Sequence, residues 1–372
     1  MRTMKKAIVL WMLILAMAIS LVGCGDSKAT DQNEQEEQQV VEQDEIVDES
    51  QQEEVKEEEV VIPANQNLLT GVCDLSEEAI GKRPVAVMIN NVNAALPQYG
   101  ISGADIIFEM HVEGDLTRLM AVYADYTKVP KICAIRSCRY YFPVMAHGFD
   151  AFYVNWGFDE TMRSYVDSLG IPYIDGMETS GNMFGRDQGR INSGYSLEHT
   201  AYFDGTKFAE YINKKDYRTD LLDEKKGTAF LFNGLNEQIK PSDEACTYVH
   251  VDFGGATATF EYDETTNTYF KSINGKKQKD AVSNEQLNFT NVVILETEIS
   301  IRTQYGHKEI DLQGGSGYAG YYISNGAIQK ISWEKPTASD YLKFYDEAGN
   351  EISINRGKTY IAFNYADRAI FE

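Results

Sequence analysis

Cysteine is scarce in this chain, which has five cysteines among its 372 residues. The four that follow Cys24 are 60, 5 and 108 residues apart, and this spacing matches no zinc-binding signature. The sequence also contains no HExxH motif and no EF-hand loop. Ser137 lacks the Gly-x-Ser-x-Gly elbow of α/β-hydrolases, and the glycine-rich segment 314–335 matches neither a P-loop nor a dinucleotide-binding fingerprint. We therefore predict no metal and no cofactor.

Positive charge is also in short supply, because 34 Lys and Arg residues face 57 Asp and Glu residues and give a net charge of −23. This charge excludes general binding to nucleic acid, whose phosphates require a basic surface. Residues 25–62 hold fifteen of the acidic residues, two basic residues and no aromatic residue. Such a segment repels itself and has too little apolar surface to form a core. We predict an acidic, disordered tether there.

Residues 1–24 have the parts of a signal peptide. Three basic residues precede an apolar run over 7–21, which is shorter than the roughly 20 residues that a membrane-spanning helix needs. The run ends in Leu-Val-Gly-Cys, which resembles the lipobox of bacterial lipoproteins. That resemblance implies cleavage before Cys24, diacylation of its thiol, and a lipid anchor to the cell membrane on the extracytoplasmic face. An ordinary secretory peptide with a chance cysteine is the alternative.

Residues 63–227 alternate apolar runs with amphipathic patterns, which is typical of an α/β layer domain. Segment 104–112 alternates apolar and polar side chains with a period of two, which predicts a strand with one apolar and one acidic face. Gly114-Asp115 predicts the turn of a hairpin to a second strand over 118–126. Further helices are predicted after Ser137 as the capping residue, over 160–169, and from Asp204 or Thr206 to about residue 215.

Residues 228–372 contain short runs rich in Thr, Val and Tyr, with no long helical pattern. Asn274-Gly275 and Asn325-Gly326 stand between such runs and predict type I′ hairpin turns. We predict a predominantly antiparallel β domain here, and α+β as the fold class of the chain. Four aromatic residues of this segment are interpreted as core, with a sugar-binding face as the alternative: Tyr318, Tyr321, Tyr322 and Trp333.

Charged side chains are concentrated between residues 109 and 199, and they define a candidate site. The predicted ligand-binding residues are Glu109, Arg118, Arg136, Ser137, Arg139 and Arg186. The predicted catalytic residues are Glu113, Asp187 and His199. Arginine forks and the N–H groups at a helix start bind anions, whereas carboxylates and a histidine that titrates near neutral pH can act as acid and base. The alternative is that these charges pair with one another in a structural network.

The cysteines that follow Cys24 leave two alternatives open. In an exported protein, Cys73, Cys133, Cys138 and Cys246 can form two disulfides in three different pairings. They can also be buried free thiols, which is the interpretation that we favour.

Several sequence blocks resemble the YerB-like bacterial lipoproteins, a family with paired N- and C-terminal domains of unknown function. The blocks are RPVAVMINN at 83–91, SGADIIFEMHVEGDLTRLMAVY at 102–123, IRSCRYYF at 135–142 and FGRD at 184–187. GYAGYYISNGAIQKISWEK and FYDEAGNEISINRGKTYIAF are similar to the second domain. The resemblance implies an envelope lipoprotein, and it matches motif positions of the family to Glu109, Glu113, Arg118, Arg136, Arg139, Arg186 and Asp187.

Three functional hypotheses follow from these patterns. The first is a cell-surface lipoprotein that binds an anionic or saccharide envelope component, such as a cell-wall glycan, through an Arg/Glu cleft in the N-terminal domain. The second is a hydrolase or transferase acting on an envelope glycan or phosphodiester. The third is a non-catalytic envelope scaffold that binds proteins through its β domain. The sequence names no protein partner.

Overall fold

The computed structural model describes residues 61–158, 162–179 and 181–372. The predicted signal peptide, Cys24 and all but the last two residues of the predicted tether lie outside the described residues. Residues Val60–Glu372 form one compact unit. Both segments predicted as domains, 63–227 and 228–372, belong to that unit, and the boundary between them stays a prediction.

The N-terminal segment supplies eight strands and four α-helices in its described part. The strands are β1 (Val85–Asn90), β2 (Ile106–His111), β3 (Thr117–Tyr123), β4 (Lys131–Cys133), β5 (Phe152–Asn155), β6 (Tyr173–Asp175), β7 (Phe184–Arg186) and β8 (Ala201–Asp204). The helices are α1 (Tyr141–Gly148), α2 (Arg163–Ser168), α3 (Gln188–Asn192) and α4 (Phe208–Lys214). Short 3₁₀ helices lie at Glu77–Ala79, Asn93–Ala95, Ile101–Gly103, Leu197–His199, Gly205–Lys207 and Asp223–Lys225.

Within the described residues 228–372, all the regular elements of the C-terminal segment are strands. They are β9 (Leu231–Phe232), β10 (Tyr248–Asp252), β11 (Thr257–Asp263), β12 (Thr268–Ile273), β13 (Lys276–Lys277), β14 (Asn288–Phe289), β15 (Asn291–Glu296), β16 (Ile299–Ile301), β17 (Lys308–Ile310), β18 (Gly314–Ser324), β19 (Ala327–Glu334), β20 (Lys343–Tyr345), β21 (Ser353–Ile354), β22 (Thr359–Asn364) and β23 (Ala369–Phe371). This distribution confirms the predicted α+β class.

One mixed sheet of ten strands joins the two segments. Its order is β20-β19-β18-β15-β22-β2-β3-β1-β5-β6, so strands of the C-terminal segment form one half and strands of the N-terminal segment the other. β22 lies between β15 and β2 and is parallel to both. The C-terminal segment therefore contains parallel as well as antiparallel pairs, because it completes the sheet that the N-terminal segment begins.

A second sheet of six strands belongs to the C-terminal segment and is entirely antiparallel. Its order is β13-β12-β11-β10-β23, with β14 beside β12. A smaller sheet, β4-β8-β7, lies in the N-terminal segment. β2 and β3 are antiparallel neighbours, which confirms the predicted hairpin through Gly114.

Both predicted type I′ turns form. Asn274 and Gly275 have φ values of 50° and 71°, and Asn325 and Gly326 have φ values of 49° and 72°. These left-handed values favour Asn and Gly at the two turn positions. The turns join β12 to β13 and β18 to β19, so local sequence alone located these two hairpins.

Three local predictions have clear outcomes. Ser137 does not cap a helix, because α1 starts at Tyr141 after Tyr140, whose side chain makes no capping bond. Trp333 and Tyr322 are buried, as the core interpretation predicted. In the described residues, the cysteines that follow Cys24 form no disulfide, and those at 133, 138 and 246 are buried. Burial raises the pKa of Cys133 and of Cys246 to about 11, which keeps both thiols protonated.

Candidate functional site

The topology of the ten-stranded sheet brings several of the predicted site residues to one edge. β1 and β2 are both antiparallel to β3, and β5 is parallel to β1, so β1, β2 and β5 end on the same side. Asn90 ends β1, and the β2–β3 turn with Glu113 follows β2. The backbone N–H of Arg136 donates to the carbonyl of Met88, which brings the loop 136–139 beside the end of β1. This edge is where open α/β sheets bind ligands.

Glu113 lies in a fork between two arginines. Its Oε1 accepts from Nη2 of Arg139 at 2.7 Å and from Nη2 of Arg118 at 2.9 Å, and its Oε2 accepts from Nε of Arg139 at 2.9 Å. Burial raises the pKa of Glu113, but the two guanidinium charges outweigh it, so the pKa lies below its usual value. Glu113 is therefore ionised and fully engaged at neutral pH.

The same two arginines hold the loop 136–139 in place. Nη1 of Arg118 donates to the carbonyl of Ser137 at 2.6 Å, and Nη1 of Arg139 donates to the carbonyl of Cys138 at 2.6 Å. Both arginine side chains are nearly buried. Burial lowers the pKa of Arg118 to about 10, which still leaves it charged at neutral pH. Arg118, Arg139 and Ser137 thus shape the loop, and Arg136 is the loop arginine with the most exposed side chain.

Arg136 and Arg186 lie side by side on the surface beside Trp156. Nη2 of Arg136 donates to Oε2 of Glu198 at 2.8 Å, with 28% of the Arg136 side chain and 54% of the Glu198 side chain exposed. The guanidinium of Arg186 lies 4.7 Å from the ring centre of Trp156, and its Nη1 donates to the carbonyl of Leu197 at 2.5 Å. We call Arg136, Arg186, Glu198 and Trp156 the Arg136/Arg186 surface.

The electrostatics of the Arg136/Arg186 surface favour an anion. Burial and, next, repulsion from Arg136 lower the pKa of Arg186, which shows that the two guanidinium charges act on each other. Two cations and one half-exposed carboxylate leave a net positive charge there. An anionic ligand would relieve the repulsion, and planar guanidinium groups match carboxylate and phosphate oxygens.

His199 adjoins this surface but is mostly buried. Its Nδ1 is hydrogen-bonded with Nδ2 of Asn90 at 3.0 Å, and its Nε2 lies 3.8 Å from Oε1 of Glu198. Burial lowers the pKa of His199, so its imidazole is neutral at pH 7. Glu198 therefore lies between His199 and Arg136. Asn90, the last residue of β1, fixes the imidazole ring from the other side.

Asp187 has two structural partners. Its Oδ1 accepts from the backbone N–H of Arg190, which caps α3, and its Oδ2 pairs with Nζ of Lys131 at 2.7 Å. Burial raises the pKa of Asp187, but these hydrogen bonds and the charge of Lys131 outweigh it and hold the pKa below its usual value. Neither Asp187 nor Glu113 carries the raised pKa that a general acid needs at neutral pH.

Glu109 lies in the interior, because the C-terminal segment covers the polar face of β2. Its side chain is 1% exposed and forms an ion pair of 3.4 Å with Nζ of Lys271, which is fully buried. It also accepts hydrogen bonds from Asn91 and Thr117 at 2.8 Å each and from Tyr360 at 2.7 Å. The expectation that Glu109 lines a ligand cleft is therefore wrong, since the donors around it are other parts of the fold.

Two residues of this region, Trp156 and Lys271, escaped the sequence reasoning as contributors to the site, whereas Arg190 belongs to the charged group that the sequence marks around Asp187. Trp156, Arg190 and Lys271 respectively stack on Arg186, support His199 and neutralise Glu109. Nη1 of Arg190 donates to the carbonyl of His199 at 3.0 Å, and its guanidinium lies between the rings of Tyr99 and Tyr195. A sequence signal existed for Lys271. It lies two residues from both 269 and 273 along β12, so it shares the face of the strand on which those buried residues lie.

Two kinds of feature are absent from the described ranges. In residues 61–158, 162–179 and 181–372, no cluster of three or more His, Cys, Asp or Glu side chains is arranged to hold a metal ion. Across the same ranges, no helix combines the length and the apolar character needed to cross a membrane.

These features define a class of α+β proteins in which two sequence segments complete one mixed sheet with a polar edge. The chain belongs to the family described as protein of unknown function DUF3048, whose N-terminal domain profile matches residues 69–218 and whose C-terminal domain profile matches residues 249–361. This result confirms the resemblance to the YerB-like proteins.

Two comparisons with Bacillus subtilis YerB agree with this assignment. The protein named "Putative lipoprotein YerB" from strain 168 is 28% identical over 272 residues, which cover 72% of this chain and 77% of that protein. The crystal structure of YerB from Bacillus subtilis matches with a TM-score of 0.70 at 25% identity, over 82% of this chain and 98% of that chain.

Proposed function

We propose that this protein is a lipid-anchored protein of the cell envelope, facing outward, that binds an anionic envelope glycan through the Arg136/Arg186 surface. The lipobox-like sequence before Cys24 and the name of the Bacillus relative, a putative lipoprotein, support the anchor. The acidic segment 25–62 would keep the folded unit away from an anionic membrane surface, because charged linkers extend.

The observation that carries this proposal is the pair of neighbouring guanidinium groups beside an indole. The Arg186 guanidinium lies over Trp156, and the Arg136 guanidinium forms an ion pair with the half-exposed Glu198. Guanidinium N–H groups donate to the carboxylates or phosphates of an acidic glycan, and an aromatic ring offers a face for the apolar side of a sugar. A locally positive surface of this kind lets a chain with a net charge of −23 attract an anion.

The paired residues behind this surface act as positioning residues. Arg118 and Arg139 fix the carbonyls of the loop that carries Arg136, and Glu113 pairs with both guanidinium groups. A glycan would therefore meet a preformed surface, which reduces the entropy cost of binding. The hydrolase alternative lacks such support, since the carboxylates of Glu113 and Asp187 are both held by cations.

Binding of the full-length chain, purified in a non-ionic detergent, to cell-wall fragments tests this function. We expect the Arg136→Gln/Arg186→Gln double variant to lose at least tenfold in affinity, because both charge-assisted contacts disappear. The matched control is Arg163→Gln/Arg368→Gln, which removes two exposed arginines that also pair with carboxylates. Fragments stripped of anionic groups should bind weakly. Equal loss in both double variants, or no binding by the unchanged chain, would refute the proposal.

A further inference from the structure

A cavity lies where the two segments meet, and none of the residues of the Arg136/Arg186 surface lines it. It has a volume of about 670 Å³ and opens between residues 93–98 of the N-terminal segment and residues 273–284 around the β12–β13 hairpin. This size falls within the range of small-molecule pockets in proteins. Its lining combines lysines, side-chain amides and a few apolar residues.

Three lysines give this cavity a positive rim. Lys276, Lys277 and Lys279 come from one short stretch of the hairpin and all line the opening. Among the residues that the structure describes, none of the three is in an ion pair with a carboxylate. The nearby Asp280 is 1% exposed, and its carboxylate already accepts hydrogen bonds from the backbone N–H groups of Ser102 and Val282. The rim charge is therefore available to a ligand.

Buried amides form the inner wall of the cavity. Gln98 and Gln278 are 0% and 2% exposed, and Nε2 of Gln278 donates to Oε1 of Gln98 at 3.2 Å. Behind them, Oε1 of Gln278 accepts from Nζ of the buried Lys271 at 2.7 Å. The position of the Gln278 amide is thus fixed by a charged donor in the core.

The two walls are tied to each other before any ligand arrives. Nδ2 of Asn274 donates to Oδ1 of Asn93 at 2.8 Å, and the backbone N–H of Ala281 donates to the carbonyl of Gln98 at 2.8 Å. With the bond between Gln98 and Gln278, three hydrogen bonds span the cavity. A preformed pocket of this kind loses little entropy when it binds.

We propose that this cavity binds a phosphorylated sugar. Lysine ammonium groups are point charges that bind phosphate, and Lys276, Lys277 and Lys279 all line this cavity. The amides of Asn93 and Asn284 use their oxygens within the fold, so their NH₂ groups can donate to sugar hydroxyl groups. The apolar side chains of Leu96 and Ile273 give the sugar ring a dry face. This site is independent of the proposed glycan surface, because the two share no residue.

Calorimetric titration of the full-length chain with glucose 6-phosphate, inorganic phosphate and glucose tests this site. We expect saturable binding of glucose 6-phosphate, binding of inorganic phosphate that is at least fivefold weaker, and no measurable binding of glucose. The Lys276→Gln/Lys277→Gln/Lys279→Gln variant should lose at least tenfold in affinity for glucose 6-phosphate. These lysines are surface groups on a hairpin, so the variant should fold, and a circular dichroism spectrum verifies this.

A charge-matched control separates the site from general electrostatics. Lys214→Gln/Lys240→Gln/Lys330→Gln removes three exposed lysines elsewhere and should leave the affinity unchanged. The Arg136→Gln/Arg186→Gln variant should also bind glucose 6-phosphate normally, so failure of the glycan surface and failure of this site give different results. Equal loss in the control variant, equal affinity for inorganic phosphate, or no binding by the unchanged chain would overturn the proposal.

Discussion

Glu109 and Lys271 place two opposite charges in the interior of the molecule, 3.4 Å apart and almost without exposure. Burial lowers the pKa of Lys271, while the charge of Glu109 acts in the opposite direction. Hydrogen bonds from Asn91, Thr117 and Tyr360 satisfy the carboxylate, and Gln278 satisfies the ammonium group. Such a pair contributes little net stability when complete, but either charge alone is costly in the core.

The first prediction concerns this pair. Glu109→Gln should lower the free energy of unfolding by about 3 kcal/mol, because it leaves the Lys271 ammonium buried without its counter-charge. Adding Lys271→Met should restore at least half of that loss, since no uncompensated charge then remains. Urea unfolding followed by circular dichroism measures both. Glu261→Gln, which changes an exposed carboxylate of β11, serves as the control. A double variant less stable than Glu109→Gln would contradict the explanation.

At the residue scale, the sequence identified which charged residues matter better than it identified the residues that they contact. It marked Arg118, Arg139 and Glu113 as a charged group, and their contacts form the structural network that was the stated alternative. It placed Glu109 on a polar strand face correctly, but it could not show what covers that face. The covering residue, Lys271, comes from the other segment, and no local pattern encodes a contact over such a separation.

At the scale of elements, the residue types of a short turn determine its conformation, whereas the residue types of a longer strand do not determine its neighbours. Asn274-Gly275 and Asn325-Gly326 adopt the left-handed conformations that their residue types favour. By contrast, the start of β18 contains Gly314, with a φ of 70°, where an added Cβ would lie 2.4 Å from the carbonyl oxygen of Trp333. The glycines at 275 and 314 therefore have different roles, conformational in the first case and steric as well in the second.

The second prediction compares these two glycines. Gly275→Ala should destabilise the protein by about 1 kcal/mol, because only the left-handed backbone opposes the new methyl group. Gly314→Ala should cost about 3 kcal/mol or more, since a clash with backbone atoms adds to the same conformational term. Thermal unfolding of both variants measures the difference. Equal losses of stability would show that the strand start relaxes around the methyl group.

At the scale of the whole molecule, the ten-stranded sheet is the feature that makes the two segments interdependent. β22 contacts β2 on one side and β15 on the other. Sequence patterns predicted the α+β class and the β2–β3 and β18–β19 hairpins of this sheet, but not this pairing. Runs such as NVVILET are compatible with antiparallel or parallel neighbours, and only the complete set of strands decides between them.

The third prediction follows from that shared sheet. A chain that ends at residue 227 should show no cooperative unfolding transition in urea, because β2 would lose its neighbour and Glu109 would lose Lys271. Co-expression with residues 228–372 should restore the transition, since the missing strands can then pair. A sharp transition of the 1–227 chain alone, with a slope that fits its size, would show instead that the N-terminal segment is autonomous.

The position of β22 also sets the order of events when the chain is made. It occupies a central place in the ten-stranded sheet, yet it comes last in the chain among the strands of that sheet. While the polypeptide emerges from its N-terminus, the edge of β2 stays open until residues 359–364 have been synthesised. Completion of the sheet is therefore a late event that depends on contacts distant in sequence, which are slow to form. If the chain is exported as we propose, this delay would favour its passage through an export channel before the sheet closes.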